Sequence, residues 1–209
     1  MGDSNQRAKN YKIILKLCNG IFKMTKKYTV IGKESLPTED GLIMVYNHRD
    51  YWDIPLVFSI MGTRPVHALV KYELKIEPVG KLLGFMGAIF VDRDNPEKRK
   101  SAKENLLGLV SNGRNILISP EGTRNKTNEI LLPFRGHGAV SIAQKTGRPI
   151  VPFAISKCEK KGNQKLIRIC NPFYVVTDDD LGATNKRLYK CVYDALLENE
   201  KHIERGLRF

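Results

Sequence analysis

Long hydrophobic runs are missing from this chain of 209 residues. The longest candidate, from Ile54 to Met61, falls far short of the roughly eighteen apolar residues that cross a bilayer, so no spanning helix is expected. No charged-then-apolar start marks a signal peptide either. Cysteine is sparse: Cys18, Cys158, Cys170 and Cys191 are the only four. They show no C-x-x-C spacing, which argues for reduced thiols of a cytosolic protein rather than a disulfide framework. His67, His137 and His202 are scattered among them without metal-ligand spacing, so no metal is predicted. There is no G-x-G-x-x-G and no Walker pattern, and no nucleotide cofactor is expected. No Pro/Gly/Ser-rich linker or internal repeat divides the chain, so one domain with its own core is the economical reading.

Acidic residues are also scarce. Asp and Glu number 22 against 35 Lys and Arg, for a formal charge of +13, which points to an anionic partner. Between Gln6 and Lys27 there is no acid at all. There Tyr11, Ile14, Leu17, Cys18, Ile21, Phe22 and Met24 recur at helical intervals, with Lys12, Lys16, Lys23, Lys26 and Lys27 between them. Residues 1–27 therefore read as a basic amphipathic helix suited to an anionic membrane surface, and 28–209 as the globular domain. A nucleic-acid module would need aromatics interleaved with its basic residues. The single Trp52 and its neighbour Tyr51 lie elsewhere, so no nucleic acid is expected.

What is present is concentrated at the ends of apolar runs. Strands are predicted near Tyr28–Ile31, Leu42–Tyr46, Val66–Val70, Ala88–Val91, Ile116–Ser119, Ile150–Ile155 and Ile167–Cys170, with helices over Ala139–Lys145, Glu97–Val110 and Asn185–Ile203. This alternation implies an α/β fold with a mixed, largely parallel central sheet flanked by helices. After the second run comes Asn47-His48-Arg49-Asp50-Tyr51-Trp52-Asp53. Five residues along one helix would turn His48 and Asp53 roughly 140° apart. They can meet only if His48 sits on a turn and Asp53 in the first turn of the next helix, a position that Pro55 favours. An imidazole held by a carboxylate is the arrangement of a general base. Two further runs end alike: Gly87-Ala88-Ile89-Phe90-Val91-Asp92-Arg93, and Ile116-Leu117-Ile118-Ser119-Pro120-Glu121-Gly122-Thr123-Arg124. Three strand ends thus offer one base and two arginines.

These blocks, in this order, resemble the glycerolipid acyltransferase family that includes 1-acyl-sn-glycerol-3-phosphate (lysophosphatidate) acyltransferases. NHRDYWD matches the family's N-H-x-x-x-x-D, GAIFVDR its second block and SPEGTR its third, and Ile150-Val151-Pro152-Phe153-Ala154 stands for the fourth. After the third block the family reads P-F-K-x-G-A, whereas this chain has Pro133-Phe134-Arg135-Gly136-His137-Gly138-Ala139, one residue longer, leaving open whether Arg135 replaces the family's lysine.

The resemblance implies an enzyme that moves a fatty acyl group from acyl-CoA or acyl carrier protein to the sn-2 hydroxyl of lysophosphatidate. It implies no cofactor beyond the thioester co-substrate. His48 and Asp53 would be catalytic. Arg93 with the turn Glu121, Gly122, Thr123 and Arg124 would hold the phosphate, Glu121 by fixing one of the arginines in an ion pair and Gly122 by turning backbone N–H groups to the substrate. Pro152 would shape the wall near the donor, and Lys71 either polarises the carbonyl or is a plain surface lysine. A place on the cytoplasmic face of a membrane follows for such a substrate. The alternatives are another lysophospholipid or glycerol 3-phosphate as acceptor, or a non-catalytic basic membrane-surface protein.

Overall fold

The structure, a computed structural model, describes residues 13, 16, 28–92, 94–158 and 164–206. Apart from the helical positions Ile13 and Lys16, the expected membrane helix of residues 1–27 lies outside the described residues, and so does Arg93.

Seven strands form one sheet: β1 (Tyr28–Ile31), β2 (Ile43–Tyr46), β3 (Val66–Lys71), β4 (Ile89–Val91), β5 (Asn115–Ile118), β6 (Ile150–Cys158) and β7 (Gln164–Ile169). Their spatial order is β1-β7-β6-β2-β5-β3-β4. The strands β6, β2, β5, β3 and β4 are mutually parallel, and β7 turns antiparallel onto β6 while pairing in parallel with β1. The sheet is therefore mixed and largely parallel, as expected. Its helices are α1 (Asp53–Met61), α2 (Val79–Phe85), α3 (Pro96–Ser111), α4 (Gly138–Thr146) and α5 (Leu181–Glu204).

Both faces of the sheet are covered, which is why β2 and β5 read as continuous apolar runs. Successive strand residues point to opposite faces. Met44 and Tyr46 thus pack with Leu56, Val57 and Phe58 of α1, while Ile43 and Val45 pack with Leu106 of α3, Val140 and Ile142 of α4 and Leu188 and Val192 of α5. The helix starts follow local chemistry. Asn95 accepts a hydrogen bond from the Lys98 N–H at 3.0 Å, with Pro96 in the first turn of α3, and Asp180 accepts from the Ala183 N–H at 2.7 Å ahead of α5. Such caps contribute about 1 kcal/mol each.

Strand β7 begins earlier than its apolar pattern suggests, at Gln164 rather than Ile167. The polar start misleads because Lys165 is buried and satisfied by carboxylates from the other end of the chain.

Candidate active site

The site is built around the carboxyl end of β2, the central strand. Asn47, buried immediately beyond it, donates through Nδ2 to the Ile155 carbonyl at 3.0 Å and accepts through Oδ1 from the Ile155 N–H at 2.7 Å. This side chain continues the pairing of β2 with β6 after the backbone has turned away, so it fixes where the next residue stands. The next residue is His48. Its N–H donates to Glu121 Oε1 at 2.7 Å and its carbonyl accepts from the Asn125 N–H at 2.7 Å. The His48 backbone is therefore clamped on both sides by the segment after β5.

His48 Nδ1 lies 3.2 Å from Asp53 Oδ2, and the imidazole packs edge-on against the Tyr46 ring. Asp53 opens α1 with Pro55 two residues behind, the placement anticipated from the spacing. Its Oδ2 also accepts from the backbone N–H groups of Arg49 (2.9 Å) and Asp50 (2.7 Å). The other oxygen, Oδ1, accepts from Lys165 Nζ at 2.6 Å, and Asp50 Oδ2 lies 3.3 Å from the same ammonium. Only 1% of Asp53 is exposed. Burial alone would raise its pKa, but the hydrogen bond with His48, the charge of Lys165 and the backbone amides outweigh it and hold the carboxyl below its ordinary value. A charged carboxylate on Nδ1 fixes the tautomer with the proton on Nδ1. Nε2 is left as the lone-pair nitrogen that can accept a proton.

Glu121 is held by two backbone amides. Among the described residues no ion pair joins it to Arg124. Oε1 takes the His48 N–H, and Oε2 takes the Leu132 N–H at 3.1 Å. Burial raises its pKa, and the two amides offset only part of that shift. Through these two amides Glu121 holds the strand end in place; Arg93, the other arginine expected beside it, lies outside the described residues. Gly122 has φ of 72°, a conformation that favours glycine, but its N–H turns back onto the Ser119 carbonyl at 3.1 Å instead of facing outward. Thr123 and Arg124 follow, half-buried. The Arg124 guanidinium sits 3.8 Å from the centre of the exposed Tyr51 ring, so the third block and the histidine block meet in space.

Two expected residues stand apart. Lys71 is exposed at the end of β3, two strands and therefore about 10 Å across the sheet from β2. Pro152 is buried within β6, paired with Val45, three positions before the level of His48. It lies in the body of the sheet. Lys165 was missed by the reading of motifs. A lysine in an otherwise apolar strand, Gln164-Lys165-Leu166-Ile167, was its only signal.

Comparison with known proteins places this geometry among relatives. The family model described as "Acyltransferase" matches residues 27–156. A 1-acyl-sn-glycerol-3-phosphate acyltransferase of Borreliella burgdorferi is 34% identical over 130 residues, 62% of this chain and 51% of that protein. One of Bacillus subtilis is 29% identical over 207 residues, 96% of each. A chloroplastic one of Brassica napus, 32% identical over 131 residues, is matched over 37% of its length. The chain thus spans about half the Borreliella protein and less of the Brassica one, but nearly all of the Bacillus one. The crystal structure titled 1-acyl-sn-glycerophosphate (LPA) acyltransferase, PlsC, from Thermotoga maritima superposes with a TM-score of 0.74 at 23% identity, covering 95% of this chain and 80% of that one. The fold is shared.

Proposed function

The chain belongs to the acyltransferase family, and we propose that it transfers a fatty acyl group from an acyl thioester to the sn-2 hydroxyl of lysophosphatidate, giving phosphatidate, with His48 as general base. The observation that carries this reading is the 3.2 Å contact between His48 Nδ1 and the buried Asp53 carboxylate at the open end of the central strand. In open α/β sheets that end is where ligands bind.

The reaction follows from the tautomer. Nε2 of His48 takes the acceptor's hydroxyl proton as the oxygen attacks the thioester carbonyl carbon. The tetrahedral adduct collapses, the C–S bond breaks, and the leaving thiolate receives that proton back from the imidazolium. Asp53 stabilises the imidazolium during the interval. Lys165, bonded to the other carboxylate oxygen, keeps Asp53 ionised in a buried setting. Transfer is direct, since no serine or cysteine is hydrogen-bonded to His48 among the described residues. Arg124, whose guanidinium lies over Tyr51 of the histidine block, and its neighbour Thr123 are proposed to meet the acceptor's phosphate, for which a guanidinium's planar fork is suited. Arg93 is proposed for the same anion from its place in the second block. Residues 1–27 are proposed to bring the enzyme to the anionic cytoplasmic face of a membrane. No helix among the described residues is long and apolar enough to cross one.

Thiol release from acyl-CoA or acyl carrier protein, measured with and without lysophosphatidate, tests the reading. Release that requires the acceptor, with phosphatidate formed in equal amount, supports it. No acceptor-dependent release from either donor would refute it, and preference for glycerol 3-phosphate or another lysophospholipid would reassign the acceptor.

A further inference from the structure

A cavity of about 840 Å³ opens between α3 and α4, over the carboxyl ends of β4 and β5, on the sheet face opposite α1. Its size falls within the range of roughly 300–1,000 Å³ typical of small-molecule sites. Its floor is apolar, formed by Leu106, Ile118 and Ile142 among others. Its polar wall carries Arg99, Lys100 and Lys103 of α3 and Arg135 of the loop before α4. Among the described residues none of these four is in an ion pair. Among the described residues the only carboxylate on the wall is Asp94.

A helix start borders the same space. Helix α4 begins on the wall at Gly138 and Ala139, and His137 ahead of it makes no side-chain cap. The first N–H groups of a helix have no partner within it, and they carry the positive end of its dipole. The loop that is one residue longer than the family's pattern supplies Arg135, Gly136 and His137 to this wall. Gly122 lines it too, adjacent in sequence to the Glu121 that clamps His48.

We propose that this cavity holds the phosphate-bearing polar part of a substrate, bound by Arg99, Lys100, Lys103, Arg135 and the open amino end of α4, with the adjoining aliphatic part against the apolar floor. The anion is a phosphate ester, and two sources share that chemistry: the acceptor's phosphomonoester, or the coenzyme A or phosphopantetheine portion of the donor. The proposal rests on the acyl-transfer reading for its kinetic test alone.

The test compares the full-length chain with the variant Arg99→Gln, Lys100→Gln, Lys103→Gln. A control variant, Lys190→Gln, Lys201→Gln, Arg205→Gln, loses the same charge from α5 and the residue that caps its end, none of them lining the cavity. Calorimetric titration with coenzyme A, and separately with monomeric lysophosphatidate, reads binding. Steady-state kinetics read KM and kcat for each. Loss of several charge-assisted contacts should weaken one ligand, and raise the KM of the matching substrate, at least about tenfold, with kcat changed less than about threefold and the control within about twofold of wild type. An effect on coenzyme A assigns the donor's carrier, and one on lysophosphatidate assigns the acceptor. Should the triple variant fail to fold, Arg135→Gln is read the same way, because its side chain is exposed on a loop. Unchanged affinity and KM for both ligands in a folded variant would overturn the proposal, as would failure of the wild type to bind either. A wild type that binds but does not turn over would refute the acyl-transfer reading and leave the binding result standing.

Discussion

Replacing Lys165 with methionine tests how the buried end of the site is held together. The substitution keeps the length and apolar stem of the side chain and removes only the ammonium that sits 2.6 Å from Asp53 and 3.3 Å from Asp50. Asp53 is then left in a site that is 1% exposed with its Oδ1 unpartnered, while Oδ2 keeps the imidazole and two backbone amides. Removing one member of a buried pair costs about 3–5 kcal/mol. At about 2–4 °C per kcal/mol for a chain of this size, the melting temperature at neutral pH should fall by about 6–20 °C. The pH dependence carries a second signature. Asp53 in the folded chain titrates below its ordinary value, so it contributes stability that is present above the unfolded pKa and lost as pH falls through the lower, folded one. Without Lys165 the folded pKa rises, and acid unfolding should begin at a higher pH. Thermal scans of both proteins by circular dichroism between pH 3 and pH 8 provide the assay. A melting temperature within about 2 °C of wild type, with an unmoved acid limb, would refute the role given to Lys165.

Three other outcomes are expected. Glu121→Ala leaves the His48 and Leu132 amides unpaired at a cost of about 1–3 kcal/mol each, so thermal scans should show a loss of at least about 4 °C; no loss would mean that water takes over both amides. Arg124→Met removes a charge-assisted contact of about 1.5–3 kcal/mol and should lower kcat/KM for lysophosphatidate about ten- to hundred-fold, and unchanged kinetics would make the residue structural. Deleting residues 1–27 should abolish flotation with anionic liposomes while the far-UV spectrum of the remainder is kept, and binding of the full chain should weaken with salt as surface charge is screened; undiminished flotation of the truncated chain would contradict the membrane role.

The parts of this site that were legible in sequence are those whose partners are close along the chain. His48 and Asp53 are five positions apart, and Pro55 and the apolar run before Asn47 were enough to place a turn and a helix start between them. The strands were legible for a similar reason, because a sheet covered on both faces leaves uninterrupted runs such as Ile43–Tyr46. Strand order was not, since nothing local says that β2 lies between β5 and β6. Nor was Lys165, which reaches Asp53 from 112 positions away and looked like the polar margin of a strand. Glu121 is legible as a site residue, but its two amide partners are not. A glutamate beside arginines suggests an ion pair, and nothing local says that the fold also brings it the His48 and Leu132 amides. The basic wall between α3 and α4 was hidden too, because Arg99, Lys100 and Lys103 read in sequence as the solvated face of an amphipathic helix.

The central claim is that His48 carries the proton, and the turnover of His48→Ala tests it most directly. The ring packs edge-on against Tyr46 and bonds to Asp53, while the clamps on its backbone from Glu121 and Asn125 do not need the imidazole. The variant should therefore fold, bind lysophosphatidate with little change, and release thiol at least about a hundred- to ten-thousand-fold more slowly, the range typical of a lost general base. Turnover near that of wild type in a folded His48→Ala protein would contradict the account.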